Sequence, residues 1–148
     1  LVEPFCIEVT LIAERYLHLL QEQVLPSLLT DDDTVRDFFQ QDGAPPHYGH
    51  IVRDYFDIQF PGRWIGRRGP TEWTPRSPDL TQLDFYLWGH VKAMVYSVKI
   101  RNVDHLKVRI AQACANITSE TLQQVHVHWE RRLRMCIAAD GEHVEHLL

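Results

Sequence analysis

Cysteine is scarce in this sequence of 148 residues, which contains only Cys6, Cys114 and Cys136. Three scattered cysteines suit neither a disulfide framework nor a CxxC metal site, so we expect a reducing, intracellular setting and exclude a small secreted disulfide scaffold. Long hydrophobic runs are missing as well, since none reaches the about 18 to 20 residues that span a bilayer. The N-terminus also lacks the basic-then-apolar order of a signal peptide. We therefore expect no membrane partner.

A strong net charge is also missing, because the formal charge at pH 7 is −5. This value argues mildly against a general nucleic-acid binder. The charge is uneven, however: residues 1–60 carry three Lys/Arg and eleven Asp/Glu, whereas residues 61–148 carry twelve and nine. The second half holds two basic clusters, GRWIGRRG and ERRLR. Either cluster could meet phosphates or form a solvated surface.

Hydrophobic residues make up 45% of the chain and charged residues 24%, a balance typical of one globular domain with a core. Apolar residues recur at helical spacing in several segments. Two short segments before turn residues predict strands instead, at 35–41 and 63–65, and the Gly- and Pro-rich stretch 66–80 predicts a long loop. The helices are predicted near 11–29, 47–60, 83–96, 104–117 and 119–137, with Thr10 capping the first, a stop near Pro26, and Thr118 or Ser119 capping the last.

The segment QQDGAPPH places Asp42 at the carboxyl end of a predicted buried strand, with His47 five residues later. Carboxylates at such strand ends face the crevice of an open α/β sheet, where they can hold divalent ions. Asp-Gly is also a common turn dipeptide that needs no chemistry. Both interpretations stay open on this segment alone.

The segment SPDLTQLDFYLW places Asp79 and Asp84 at the opening of a helix. Capping explains both carboxylates, because Thr81-x-x-Asp84 fits a capping box and acidic residues stabilise the first turn of a helix. Capping does not explain why they follow a strand-end Asp42 and a long Arg-bearing loop.

Together, QQDGAPPH and RSPDLTQLDFYLWG resemble the second and third acidic motifs of mariner-type transposases, DNA-cutting enzymes of the DDE/D superfamily with a ribonuclease-H-like fold. The segments AERYLHLLQEQVLPSLL, FPGRWIGRRGP and RRLRMCI also resemble this family, so the resemblance covers nearly the whole chain. It implies an α/β fold over residues 1–148, a single partial catalytic domain with a small sheet, flanking helices and a helical C-terminal part.

The resemblance also implies the chemistry of the chain. In such enzymes three carboxylates bind two Mg²⁺ or Mn²⁺ ions, which activate the nucleophile and stabilise the leaving oxygen during DNA strand cleavage and transfer. Asp42 matches the second carboxylate and Asp84 the third, whereas Asp79 matches a turn residue of the family. The implied partner is the DNA of transposon ends, and the implied compartment is the nucleus.

The loop between the two motifs is where we expect contacts with DNA. The stretch from Gly62 to Arg76 contains four arginines, and His47 is the last residue of the first motif. Trp64 or Trp73 would pack or stack there. The predicted DNA-binding residues are Arg63, Arg67, Arg68, Arg76 and His47.

Two parts of the family pattern have no counterpart here. Only ten residues precede the first helix, and their carboxylates, Glu3 and Glu8, fall in the wrong segment for the first catalytic position. The helix-turn-helix modules that find transposon ends are missing too. We therefore expect an N-terminally truncated catalytic domain with slow or no cleavage. Residues 2–10 would supply one remaining strand, and the sheet edges exposed by the loss would favour marginal stability or self-association.

Two further interpretations stay open. The chain could be a non-catalytic, transposon-derived interaction module that binds DNA weakly or pairs with a full-length transposase or a second copy of itself. Nine histidines also raise the alternative of structural zinc, through His126 and His128 or His143 and His146. Their spacing is poor for zinc, and solvated or capping histidines are the simpler interpretation.

Overall fold

A computed structural model describes residues 3–28, 38–73 and 80–141 of the chain. The chain divides into two compact units. We call Ile7–Pro75 the amino unit, and Arg76–Leu148 together with Glu3–Cys6 the carboxyl unit. The single domain predicted from the sequence stays a prediction.

The amino unit begins with a helical segment in three parts. Helix α1 spans Ala13–Leu19, a π-helical turn follows at Leu20–Val24, and helix α2 spans Leu25–Leu28. The wider turn lies directly before Pro26, whose missing N–H interrupts the regular α-helical hydrogen bonds. The helical structure is described as far as Leu28, two residues beyond the proline, and the residues that follow lie outside the described residues.

The predicted N-cap of this segment is wrong. Ile12, not Thr10, occupies the N-cap position of α1, and its side chain caps nothing. The backbone carbonyl of Thr10 instead accepts a hydrogen bond from Arg15 at 2.7 Å. A capping side chain must sit directly before the first helical residue, and Thr10 is too far upstream to do so.

Two short parallel strands form the sheet of the amino unit. Strand β1 spans Phe39–Gln40 and strand β2 spans Trp64–Ile65, with Phe39 opposite Trp64. Both predicted strands are present, although residues 35–37 of the first lie outside the described residues. Two further backbone hydrogen bonds extend the pairing, from Phe39 N–H to Arg63 O and from Gln41 N–H to Ile65 O, both at 3.0 Å.

The strand expected within residues 2–10 is not formed. Residues 3–10 have no regular structure, and the apolar side chains of Phe5, Ile7 and Val9 are exposed. A strand needs a partner for its backbone groups and a core for one of its faces. In the described residues this segment pairs with no strand, and these three side chains are not buried.

Helix α3 spans His50–Gln59 and connects β1 to β2. It confirms the helix predicted at 47–60. Its buried face is aromatic and packs on α1 and the sheet. Phe56 is fully buried, with its ring centroid 4.7 Å from that of Phe39 and 5.6 Å from that of Trp64. The buried core of the unit consists of Tyr16, Leu20, Leu25, Val52, Phe56 and Trp64.

After β2, the described part of the predicted loop has neither helix nor strand beyond one isolated bridge between Ile65 and Thr71. Residues 74–79, which include Arg76 and Asp79, lie outside the described residues.

The carboxyl unit is helical. A π-helical turn at Leu83–Leu87 leads into α4, Trp88–Val95, followed by α5, Val103–Ala115, and α6, Ser119–Ala138. These elements match the predicted helices to within two residues at each end. The side chain of Asn102 caps α5, and Thr118, one of the two predicted residues, caps α6. The buried core consists of Val91, Val95, Ala113 and Ile117.

In the described ranges, no helix combines the length and the apolar character that crossing a membrane requires.

Candidate metal and nucleic-acid site

Asp42 lies two residues beyond strand β1, at the carboxyl end of the small sheet. The hydrogen bond from Gln41 N–H to Ile65 O fixes the backbone directly before it. Gln41 is buried, whereas the side chain of Asp42 is 70% exposed. The sheet therefore ends by presenting a carboxylate to solvent from a fixed backbone.

One oxygen of this carboxylate is used by its own turn. Oδ1 of Asp42 accepts a hydrogen bond from the Ala44 N–H at 3.0 Å and lies 2.5 Å from Nδ1 of His47. In the part of the chain that the structure describes, Oδ2 has no hydrogen-bond partner. The Asp-Gly turn is therefore formed as the simpler interpretation expects, and it still leaves one carboxylate oxygen available to a ligand.

Two buried polar side chains, those of Tyr16 and Gln41, are hydrogen-bonded to each other and to this turn. The Tyr16 hydroxyl donates to Oε1 of Gln41 at 3.1 Å, and Nε2 of Gln41 donates to the His47 carbonyl at 3.0 Å. The rings of Tyr16 and His47 have centroids 4.3 Å apart. Burial, and to a lesser extent the negative charge of Asp42, raises the pKa of the Tyr16 phenol above its ordinary value. Tyr16 is therefore a neutral hydrogen-bond donor that supports the turn.

Two arginines of the predicted DNA-binding loop lie beside the same turn. The guanidinium of Arg67 is 4.3 Å from the centroid of the Tyr48 ring, and that of Arg68 is 5.6 Å from it. Cδ of Arg67 also lies 3.6 Å from the position that a Cβ on Gly43 would occupy. Both arginines are exposed. The Tyr48 ring thus makes cation–π contacts with two arginines beside the turn that contains Asp42.

The other residues predicted to contact DNA have different surroundings. Arg63 is half-buried, and its carbonyl takes part in the sheet pairing. The side chain of His47 is 20% exposed and contacts Asp42 and Tyr16. Trp64, predicted to pack or stack, packs in the core at 1% exposure and donates from Nε1 to Asp57 at 2.8 Å. Arg76 lies outside the described residues.

Asp84 belongs to the carboxyl unit, in the first turn of the π-helical segment. Its backbone N–H donates to the Thr81 carbonyl at 2.9 Å, and its side chain is exposed. The neighbouring side chains anchor the segment: the guanidinium of Arg132 lies 4.3 Å over the Phe85 ring, and the rings of Tyr86 and His90 stack at 5.2 Å. A π-helical turn is uncommon in α-helices and is frequent at functional sites.

The structure bears on the zinc alternative only in part. Within residues 3–28, 38–73 and 80–141, no three His, Cys, Asp or Glu side chains are grouped so that they could hold one ion. His126 and His128 are exposed, and Nε2 of His126 lies 3.6 Å from the Glu130 carboxylate. His143 and His146 lie outside the described residues.

Three residues of this site were not singled out by the sequence. Gln41 stands inside the acidic motif, but a glutamine before Asp-Gly has no distinctive spacing. Tyr16 lies at an apolar position of the first predicted helix, and nothing in its spacing marks it as part of a site. Tyr48 could have been found from its place directly after the motif, since aromatic rings often interleave with arginines where proteins bind nucleic acids.

The chain is 31% identical over 114 residues to the transposable element Tc3 transposase of Caenorhabditis elegans, a match that covers 75% of the chain and 32% of that protein. The chain thus spans about a third of the length of the curated relative it matches. No protein-family model matches the chain.

Among solved structures, the chain is similar to the catalytic domain of Mos1 mariner transposase. The match has a TM-score of 0.70 at 20% sequence identity and covers 93% of this chain and 66% of that one. This likeness confirms the predicted fold class, a ribonuclease-H-like fold with an incomplete, small sheet.

Proposed function

We propose that the chain is part of a catalytic domain for metal-dependent DNA strand cleavage and transfer. Its likeness in sequence to the Tc3 transposase and in fold to the Mos1 mariner catalytic domain supports this proposal. The observation that carries this proposal is the Asp42 carboxylate. It stands exposed at the end of the sheet, with Oδ1 held by its turn and no hydrogen bond to Oδ2 among the described residues.

Asp42 and Asp84 are the residues that would hold the metal. Both are exposed carboxylates, and oxygen ligands of this kind suit Mg²⁺ and Mn²⁺. A bound divalent ion would supply Lewis-acid stabilisation of charge on the phosphate oxygens. The chain's own contribution is to fix the Asp42 backbone by sheet pairing and to place Asp84 on the first turn of a helix.

DNA is the proposed partner, held at its phosphates by the basic loop. Arg67 and Arg68 carry this part of the proposal, because both are exposed and both lie over Tyr48 beside the Asp42 turn. Charges gathered next to a catalytic carboxylate would place a phosphate close to its metal ion. Arg63, Arg76 and His47 are the remaining proposed contacts. The proposed compartment is the nucleus, by the resemblance alone.

Catalysis by this chain alone is proposed to be slow or absent. Of the three carboxylates that the family resemblance implies, this sequence matches two. Two carboxylates can hold an ion, but they lack the charge to hold a pair of ions in the two-metal arrangement. The chain would then bind metal and DNA without efficient cleavage, whereas the interaction-module alternative expects weak DNA binding that does not depend on metal.

Thermal melting in Mn²⁺ tests the metal site. A ligand that binds only the folded state raises its stability, by about 2.7 kcal/mol at a hundred times its dissociation constant. We expect Mn²⁺ to raise the melting temperature of the purified chain, and we expect Asp42→Asn and Asp84→Asn each to remove most of that rise. Mg²⁺ should act in the same direction.

Glu120→Gln is the matched control, because Glu120 is an exposed carboxylate in the first turn of α6 and belongs to neither acidic motif. It should respond to Mn²⁺ as the unmodified chain does. A rise that survives both aspartate substitutions would contradict the metal site. In that case, weakened DNA binding in Arg67→Ala without any metal effect would favour the non-catalytic interaction module.

A further inference from the structure

The ring of His47 is held in place from several sides, although it lies in a surface turn. The ring centroid is 4.3 Å from that of Tyr16, and the ring atom Nδ1 lies 2.5 Å from Oδ1 of Asp42. The backbone carbonyl of His47 accepts a hydrogen bond from Gln41. We propose that His47 is a positioning residue that orients the Asp42 carboxylate so that Oδ2 receives a divalent ion. This inference rests on the proposed function, because it assumes that Asp42 binds metal.

The hydrogen bonding determines which oxygen is available. An ionised carboxylate only accepts hydrogen bonds, so the Nδ1–H of His47 is the donor. Oδ1 of Asp42 then accepts two hydrogen bonds, from His47 and from the Ala44 backbone at 3.0 Å. With Oδ1 occupied in this way, Asp42 would bind a metal ion through Oδ2 alone.

The support behind His47 is more rigid than the turn itself. Tyr16 is 9% exposed and Gln41 is 6% exposed, and the two are joined by a hydrogen bond of 3.1 Å. Gln41 also belongs to the strand pairing through its backbone N–H. Side chains that hold a metal ligand in its binding orientation raise metal affinity, because the ligand is already ordered before the ion arrives. Without His47, the Ala44 N–H would be the one hydrogen bond that the described residues make to this carboxylate, which is 70% exposed.

Capping of the turn alone is the competing explanation for these contacts. The Ala44 N–H already satisfies that role, because it bonds the Asp42 side chain two residues back in the manner of an Asx-turn. The turn therefore does not need a second donor from His47. The two explanations differ in what they predict for metal binding. A positioning role predicts that loss of the His47 N–H lowers metal affinity even when an aromatic ring still packs on Tyr16, whereas capping of the turn predicts no such loss.

Two substitutions separate the donor from the ring. His47→Phe keeps an aromatic ring on Tyr16 and removes the N–H, whereas His47→Asn loses the ring and keeps an N–H donor near the position of Nδ1. Asp42→Asn is the matched control for the ligand itself. It retains an oxygen that accepts from Ala44 and His47 and removes the negative charge.

The experiment is a Mn²⁺ titration of the purified chain, followed by the broadening of backbone amide signals in ¹H–¹⁵N spectra. The amides of Gly43 and Ala44 report on this carboxylate, because they follow it directly in the chain. Melting without metal, recorded for every variant, shows whether the fold is kept. We expect His47→Phe to melt as the unmodified chain does and to need about 10- to 100-fold more Mn²⁺ for half-broadening. His47→Asn should recover most of the loss.

The outcomes distinguish the inference from the function on which it rests. If Mn²⁺ broadens neither amide, or broadens both equally in Asp42→Asn, then the proposed metal site fails and the positioning role fails with it. If Asp42→Asn loses the broadening but His47→Phe binds Mn²⁺ as the unmodified chain does, then only the positioning role is overturned. Equal losses in His47→Phe and His47→Asn would likewise overturn it, because the donor atom would then not matter.

Discussion

The guanidinium of Arg67 lies 4.3 Å from the centroid of the Tyr48 ring. This contact brings a cation from the loop after β2 to the turn that follows β1, because Tyr48 comes six residues after Asp42 in the chain. Attraction between a cation and an aromatic face is worth about 0.5–1 kcal/mol at exposed sites, which is enough to bias the position of an otherwise free side chain. The catalytic carboxylate and the DNA-binding charge proposed here thus share one small surface.

Arg67→Ala should weaken binding to duplex DNA of any sequence, because the proposed contact is with phosphate. Loss of one phosphate contact should lower the slope of log affinity against log salt concentration by about one. Fluorescence anisotropy of a labelled duplex at several salt concentrations measures this slope. Arg101→Ala, which removes an exposed arginine of the carboxyl unit, is the control and should leave the slope unchanged. An unchanged slope in Arg67→Ala would argue against the basic loop as the DNA contact.

Tyr16→Phe should destabilise the fold by about 1–3 kcal/mol, because the buried Oε1 of Gln41 loses its donor. Urea unfolding measures the free energy, and Tyr55→Phe, at a half-buried ring on α3, is the matched control. A loss no larger than that of the control would show that the buried hydrogen bond contributes little.

The contribution of Tyr16 should also depend on pH. Burial raises its pKa in the fold above the ordinary value of 10.0, so the neutral phenol is favoured by folding. Above about pH 10 the unfolded chain releases a proton that the folded chain keeps, and stability falls as pH rises. The stability difference between the unmodified chain and Tyr16→Phe should therefore be complete below pH 10 and shrink above it. Urea unfolding at pH 8 and at pH 10.5 tests this, and a difference that grows with pH would contradict it.

Gly69→Ala should destabilise the amino unit by about 1–3 kcal/mol, the usual range for overpacking a core. A Cβ at Gly69 would lie 2.6–2.9 Å from atoms of the buried Trp64 ring, which has no room to retreat. Gly89→Ala is the matched change, because nothing lies within 4 Å of its Cβ position in α4. It should stabilise the chain by about 0.5–1 kcal/mol. Chemical denaturation of the two variants should thus give shifts of opposite sign.

Asn102→Ala should cost about 1 kcal/mol, because the Asn102 side chain accepts from the His105 N–H at 2.8 Å and caps α5. Asn116→Ala, at the other end of the same helix, removes an exposed side chain and should change stability by no more than about 0.5 kcal/mol. Thermal unfolding of the Asn102→Ala and Asn116→Ala variants, followed by the helical circular dichroism signal, measures both effects. Equal effects would show that the cap is unimportant.

Two expectations from the sequence are not met in the fold, a strand within residues 2–10 and a cap at Thr10. The segment 2–10 has the alternating apolar residues of a strand, yet residues 3–10 form none, because pairing depends on another strand being alongside. Thr10 has the chemistry of a cap, but α1 begins at Ala13 and leaves it outside the helix.

The local parts of the molecule follow from the sequence by itself. Helical spacing located α5 and α6, and Thr118 was one of the two predicted caps of α6, since such signals act within a few residues of the chain. The two acidic motifs indicate a resemblance to transposases, and the sequence match to the Tc3 transposase agrees with it. Tertiary structure alone decided that Trp64 is a core residue, that Tyr48 gathers two arginines, and that His47 bonds Asp42 over a buried tyrosine. These contacts join distant segments or depend on backbone direction at a turn, and neither is encoded in the spacing of residues along the chain.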